Sequence, residues 1–350
     1  MAVPTRPPKN GFVAFARKIY NPIGFAKGYN FVLCFIFLGA LFGFTLSRFQ
    51  SLDLYGTFCS QSDRGPNNKA APGECFYLLQ PPYSVGIILH LAGILPASLL
   101  ACVQFIPIVR YKAIIVHRVN GYVVIALSLA GTAGAFIIGR HSFGGGLDIQ
   151  TGVGALGIAF IGALVMSYIN IKRLQIEQHR AWMLRAWVWA GCIITNRIIL
   201  YITAYVPKLD TAYYSIPCDK LSWMLGGRNE TLSLYPACLP FFTGESPFKH
   251  AAVRESLSDA TNIAEVAAVL NSTFGMALWL AFIIHVAGIE LYLRLTPAET
   301  ERLRRVSYER QLKAGMKHPG SAGLTADRLG DAEPWIFPKF GAEAPSERSS

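Results

Sequence analysis

The chain has 350 residues, of which 52% are hydrophobic and 15% charged, and a net charge of +11. That balance excludes a nucleic-acid partner, because the lysines and arginines follow a membrane topology and do not gather on one face. The length would suit one or two soluble domains, yet no Gly/Ser or Pro linker divides the chain, and one membrane domain is the simpler organisation.

Residues 1–27 carry Arg6, Lys9, Arg17, Lys18 and Lys27 and are expected on the cytoplasmic side. A first uncharged stretch, Gly28 to Ser47, predicts a span over about 28–48. Roughly 20 apolar residues at ~1.5 Å rise cross a hydrocarbon core, and only helices or closed barrels satisfy their backbones there. The run lacks a small-residue cleavage site and reads as an uncleaved signal anchor. An outer loop over 49–82 holds Cys59 and Cys75.

Span two is expected at 83–109, with His90 and Gln104, and ends at the basic turn of Arg110, Lys112 and Arg118. His117-Arg118 opens span three, 119–139, which ends in Arg140-His141 and a Gly-rich turn, Phe143-Gly144-Gly145-Gly146. Span four covers 149–171, and a second basic turn follows with Lys172, Arg173, His179, Arg180 and Arg185. Span five, 183–206, is interrupted by one charge, Arg197. The repeated hairpin with His-Arg at its inner turn suggests a four-helix core with pseudo-twofold symmetry, flanked by spans one and six.

The outer loop 207–271 contains Cys218, Cys238 and the sequon Asn229-Glu230-Thr231, a glycosylation acceptor in a eukaryote. Val253, Leu257, Ala260 and Ile263 fall at helical spacing, so Ala251 to Leu270 is expected to form an amphipathic helix. Span six, 272–293, includes His285. The tail 294–350 begins with a charged helical segment, Glu299 to Lys317, and then turns Gly/Pro/Ser-rich, as a disordered end would. All basic segments share one side if both termini are cytoplasmic. The expected fold is therefore an all-α integral membrane bundle of six helices. Local disulfides Cys59–Cys75 and Cys218–Cys238 fit the oxidising face, while a cross-loop connection stays open. Cys34, Cys102 and Cys192 lie within spans as packing residues.

Ionisable groups in hydrocarbon cost ~2.5–3.5 kcal/mol for an arginine and usually face the bundle interior. Two histidine pairs at two depths, His90 with His141 and His117 with His179, would suit two bis-histidine haems b, each held by neutral imidazoles. Structural alternatives are packing histidines at His90 and His285, and interface anchors at His117 and His179. Arg197 calls for carbonyls, water or an anion, with Asn196 and Gln104 as its structural alternatives. A polar core of Arg197, Gln104 and His285 would hold an anionic small molecule. The spans carry no Asp or Glu before Glu290, which argues against a carboxylate relay. CxxC, HExxH and GxSxG signatures are absent from any plausible context.

The HLAG run of span two, Gln104-Phe105-Ile106-Pro107, His117-Arg118-Val119-Asn120-Gly121-Tyr122 and His179-Arg180-Ala181-Trp182-Met183-Leu184-Arg185 resemble a family of predicted membrane proteins of unknown function, over about Ser84 to Tyr205. The resemblance implies that His90, Gln104, His117, His179, Arg185 and Arg197 are its characteristic polar positions, with the outer disulfide loop and tail lying outside it. It brings no reaction. A looser architectural likeness to the ascorbate-reducible transmembrane cytochromes b is broken by the lack of a histidine in span four. Three readings follow: a haem b redox protein, a non-enzymatic binder or transporter of an anionic or amphipathic molecule, and an accessory protein of a fungal metabolic pathway. The expected location is an endomembrane or the plasma membrane of a fungus, with the lipid bilayer as surroundings and no protein partner specified.

Overall fold

Where lipid offers no hydrogen-bond partner, each long apolar run must close its own backbone bonds, and the computed structural model does this with helices. It describes residues 7–60, 69–205 and 212–337. The elements run α1 (Gly11–Ile23), α2 (Gly28–Arg48), α3 (Cys75–Leu78), α4 (Tyr83–Phe105), α5 (Pro107–Lys112), α6 (Ile114–Gly139), α7 (Leu147–Lys172), α8 (Ile176–Ala190) and α9 (Cys192–Tyr205). They continue with β1 (Tyr213–Pro217), α10 (Cys218–Leu225), α11 (Arg228–Leu234), α12 (Leu239–Phe242), β2 (His250–Arg254), α13 (Ile263–Arg294), α14 (Pro297–Lys313) and α15 (Ala326–Leu329). Among the described residues six segments are long and apolar enough to cross a membrane, and the protein is an all-α membrane bundle.

The span boundaries differ from the sequence reading for local reasons. Span two stops at Phe105 because Ile106, restricted by the following Pro107, is extended at ψ 117°. Span three starts earlier, at Ile114, and span five is two helices, α8 and α9, interrupted at Gly191. Span six begins at Ile263, with α13 running on unbroken to Arg294. The amphipathic helix expected over 251–270 does not form as such. Its first part, His250–Arg254, is a strand antiparallel to Tyr213–Pro217, with Ala251 and Val253 buried in period-two alternation. Lys208 and Asp210, in the same loop, lie outside the described residues.

The chain divides into two compact units, Met1–Gly157 with Gly191–Phe282, and Ile158–Ala190 with Ile283–Ser350. In the first, α4 and α6 approach until their backbones touch. A Cβ on Gly93 would lie 2.6 Å from the Gly131 nitrogen, and one on Gly134 would lie 2.4 Å from the His90 nitrogen. Such small-residue contacts are how helices associate where lipid removes the hydrophobic driving force. Both outer segments are tied by disulfides, Cys59–Cys75 and Cys218–Cys238. The second encloses a core of Ile216, Leu221, Met224 and Val253.

In the second unit the tail is ordered well beyond the helix that the sequence announces. The neutral side chains Gln175 and Gln311, both fully buried, bond each other at 2.9 Å. Gln175 also takes the Gly323 N–H at 2.8 Å, and Asn170 takes the Leu324 N–H at 2.8 Å. Ser307 donates to Glu177 at 2.6 Å. Residues 318–337 are thereby fastened to the turn after α7 where the composition suggests disorder.

Candidate functional site

The outer end of the first unit gathers its buried charges. Glu74, held beside the Cys59–Cys75 bridge, is 5% exposed, and Lys220 on α10 is 2% exposed. Glu74 accepts the N–H of Phe143 at 2.9 Å. Phe143 has φ +48°, in the left-handed region that costs an L-residue roughly 1–2 kcal/mol. The carboxylate bond and a parallel stack on Phe274, with centroids 3.9 Å apart, hold it there. The expected Gly-rich turn is required by space as well, since a Cβ on Gly144 would meet the Tyr214 hydroxyl at 2.4 Å.

Beneath that turn lies Arg197 on α9. Its guanidinium carbon sits 4.9 Å from the Phe143 centroid and 5.2 Å from that of Phe274, in cation–π range of both. Among the described residues its Nε has no hydrogen-bond partner, and neither polar atom of the adjoining Asn196, which is fully buried, has one. Asn196 and Gln104 therefore do not serve as its structural partners. Gln104 instead donates to the His117 carbonyl at 2.9 Å.

The electrostatics follow from burial. Desolvation pushes the Glu74 carboxyl above its ordinary range, against the pull of Lys220, the Phe143 N–H and Arg197. Desolvation likewise lowers Lys220, while Glu74 and Asp219 oppose it. His141 is lowered by desolvation, Arg140 and Lys220, which favours the neutral ring. That ring stacks on Tyr77 at 4.1 Å, and its Nε2 shares a 2.8 Å hydrogen bond with the Tyr83 hydroxyl. Glu74 thus stands near Lys220 and Arg197, with Tyr77 against the first cation and Phe143 and Phe274 against the second. Residues 87–224 match the family described as predicted membrane protein, DUF2306.

The matched segment holds His141, Phe143, Asn196, Arg197 and Lys220, while Glu74 and Phe274 come from outside it. It extends past Tyr205 to Met224 and so includes the start of the disulfide-tied outer loop, which the sequence resemblance had left out. A relative is the Ava biosynthesis cluster protein G of Aspergillus versicolor, 23% identical over 334 residues that cover 82% of this chain and 95% of that protein. No solved structure matches.

The remaining sequence-marked residues are placed separately. His90 donates Nδ1–H to the Gly131 carbonyl at 2.8 Å, at the level where α4 and α6 are in backbone contact. His141 lies against Tyr77 and Tyr83. His117 lies in the first turns of α6. In the second unit, His179 Nδ1 meets Ser167 Oγ at 2.7 Å, and His285 Nδ1 donates to the Val188 carbonyl at 2.6 Å. There too Arg185 grips Glu290 through two bonds of 2.6 and 2.9 Å. Sequence reasoning missed Glu74, Lys220 and the paired phenylalanines. The one available signal was an acid beside a loop cysteine, with a lysine two residues after another.

Proposed function

We propose that the protein binds an anionic or amphipathic small molecule at the outer end of its bundle, as an accessory membrane component of a fungal small-molecule pathway. The observation that carries this reading is Arg197, whose Nε lies between two phenylalanine faces with no hydrogen-bond partner among the described residues, next to an Asn196 whose amide has none there either. A buried donor or acceptor left unmade costs about 1–3 kcal/mol, so the arrangement suits a ligand that supplies the missing bonds. The guanidinium would take a carboxylate, and the two rings would take the adjoining apolar part. Glu74 acts as the resident counter-charge for Lys220 and Arg197. The name of the Aspergillus relative supports the pathway setting.

The test is a thermal-shift panel on the purified protein, comparing medium-chain and aryl carboxylates with their matched alcohols. At ~100-fold excess over Kd a site-specific ligand adds ~2.7 kcal/mol. Carboxylates should stabilise the wild type and leave Arg197→Gln unmoved. Equal effects of acid and alcohol, or an unchanged response in Arg197→Gln, would overturn the proposal. A low-spin haem b spectrum from haem-replete cells would replace it with the redox reading.

A further inference from the structure

The N-terminal segment, unremarkable in hydropathy, is a helix with two faces. Asn10 caps it, accepting the Val13 N–H at 2.9 Å, and Gly24 closes it at φ +102°. Phe12, Phe15 and Ile19 fall on one face and are 77, 62 and 51% exposed. Arg17, Lys18 and Asn21 lie on the other side of the helix. Exposed aromatics on a short basic helix are costly in water and ordinary in a bilayer interface.

Two further contacts fix its level. Tyr20 is buried and stacks on Phe31, one turn into α2, with centroids 5.8 Å apart. Gly24 lies against Pro107, where a Cβ would come within 3.0 Å, so α1 ends at the basic inner turn between α4 and α6. An apolar groove between α1 and α2 is lined by Phe12, Val13, Ala16, Ile19, Tyr20 and Phe31. A second depression, lined by Arg17, Lys18, Asn21 and Pro22, lies on the same helix.

We infer that α1 lies in the inner membrane interface and holds an anionic phospholipid there. The acyl chain would occupy the α1–α2 groove, and the headgroup phosphate would meet Arg17 and Lys18. The charge complementarity of Arg17 and Lys18 with a phosphate, the apolar groove on the same helix, and the position at the start of a span commit the surface to a lipid and not to a protein partner.

Native mass spectrometry of the full-length protein released from nanodiscs containing equal phosphatidylserine and phosphatidylcholine of matched chains tests this. The wild type should retain phosphatidylserine preferentially, and Lys69→Ala, on the opposite face, should do the same. A basic residue near the surface contributes about fivefold, so Arg17→Ala/Lys18→Ala should lose the preference by about 30-fold. Equal retention of the two lipids by the wild type sinks the inference without any variant, and an unchanged preference in the double variant does so as well.

Discussion

Glu74 separates two contributions that a single substitution would merge. Glu74→Gln keeps an acceptor for the Phe143 N–H, bonded at 2.9 Å, and removes the charge. Glu74→Ala removes both and orphans a buried N–H, at a cost of ~1–3 kcal/mol. Because burial raises the carboxyl in the folded state, the folded protein holds its proton to higher pH than the unfolded chain. The Glu74 contribution to stability is therefore fully present below the unfolded value and declines as pH rises through the folded one. At acidic pH, Glu74→Gln should match the wild type and Glu74→Ala should lie below it, by roughly 2–4 °C for each kcal/mol lost. On raising the pH, the wild type alone should lose ground. Its deficit against Glu74→Gln should grow to about 1.4 kcal/mol for every tenfold by which burial has weakened the acid. Melting temperatures of the three proteins across a pH series supply the measurement. A gap between wild type and Glu74→Gln that does not change with pH would refute the account of Glu74, as would a Glu74→Gln protein as unstable as Glu74→Ala.

Other expectations follow from the packing. Gly134→Ala places a methyl 2.4 Å from backbone in α4 and should cost ~1–3 kcal/mol in a thermal melt. Gly39→Ala, with nothing within 4 Å, should be neutral or stabilising by up to ~1 kcal/mol. Replacing Cys218 and Cys238, which are 20 residues apart, by serine should lower stability by ~3 kcal/mol and expose the outer segment to protease. Asp327 is held below its usual range because Ser321, Arg304 and the Trp335 N–H outweigh its desolvation. Its stabilisation is present above the ordinary carboxylate range and fades as pH falls through the depressed folded value. Asp327→Ala leaves the Arg304 side of a 2.8 Å pair unmatched, should cost ~3 kcal/mol, and should open residues 318–337 to limited proteolysis. Asn229, exposed on α11, should carry a glycan in a eukaryotic host, read as a mobility shift that Asn229→Gln abolishes.

The six spans were legible because lipid imposes one rule on every long apolar run, and no tertiary partner is needed to apply it. The elements outside the hydrocarbon obey no single rule. His250–Arg254 is five residues long, and its alternation is hidden by the helical spacing that Val253 shares with Leu257 and Ile263. Arg197 announced itself by its cost. Its surroundings did not, because Phe143 comes from a turn, Phe274 from another span and Glu74 from the first outer loop. The histidines mark depth in the sequence, which does not specify what their ring nitrogens meet: the Gly131 and Val188 carbonyls, the Tyr83 hydroxyl and Ser167. The folded tail was masked by its composition, since the glutamines and glycines that lock it are the residues that disorder also favours.

The two disulfides have a consequence for biogenesis. All four bridged cysteines lie in the outer segments, and Glu74 immediately precedes one of them while Lys220 follows another by two residues. A chain threaded through the membrane the wrong way round would leave these thiols facing a reducing compartment, unlatched and open to alkylation. Orientation is thus written into the oxidation state of the polypeptide, and a maleimide gel shift after synthesis would report it from a single lane.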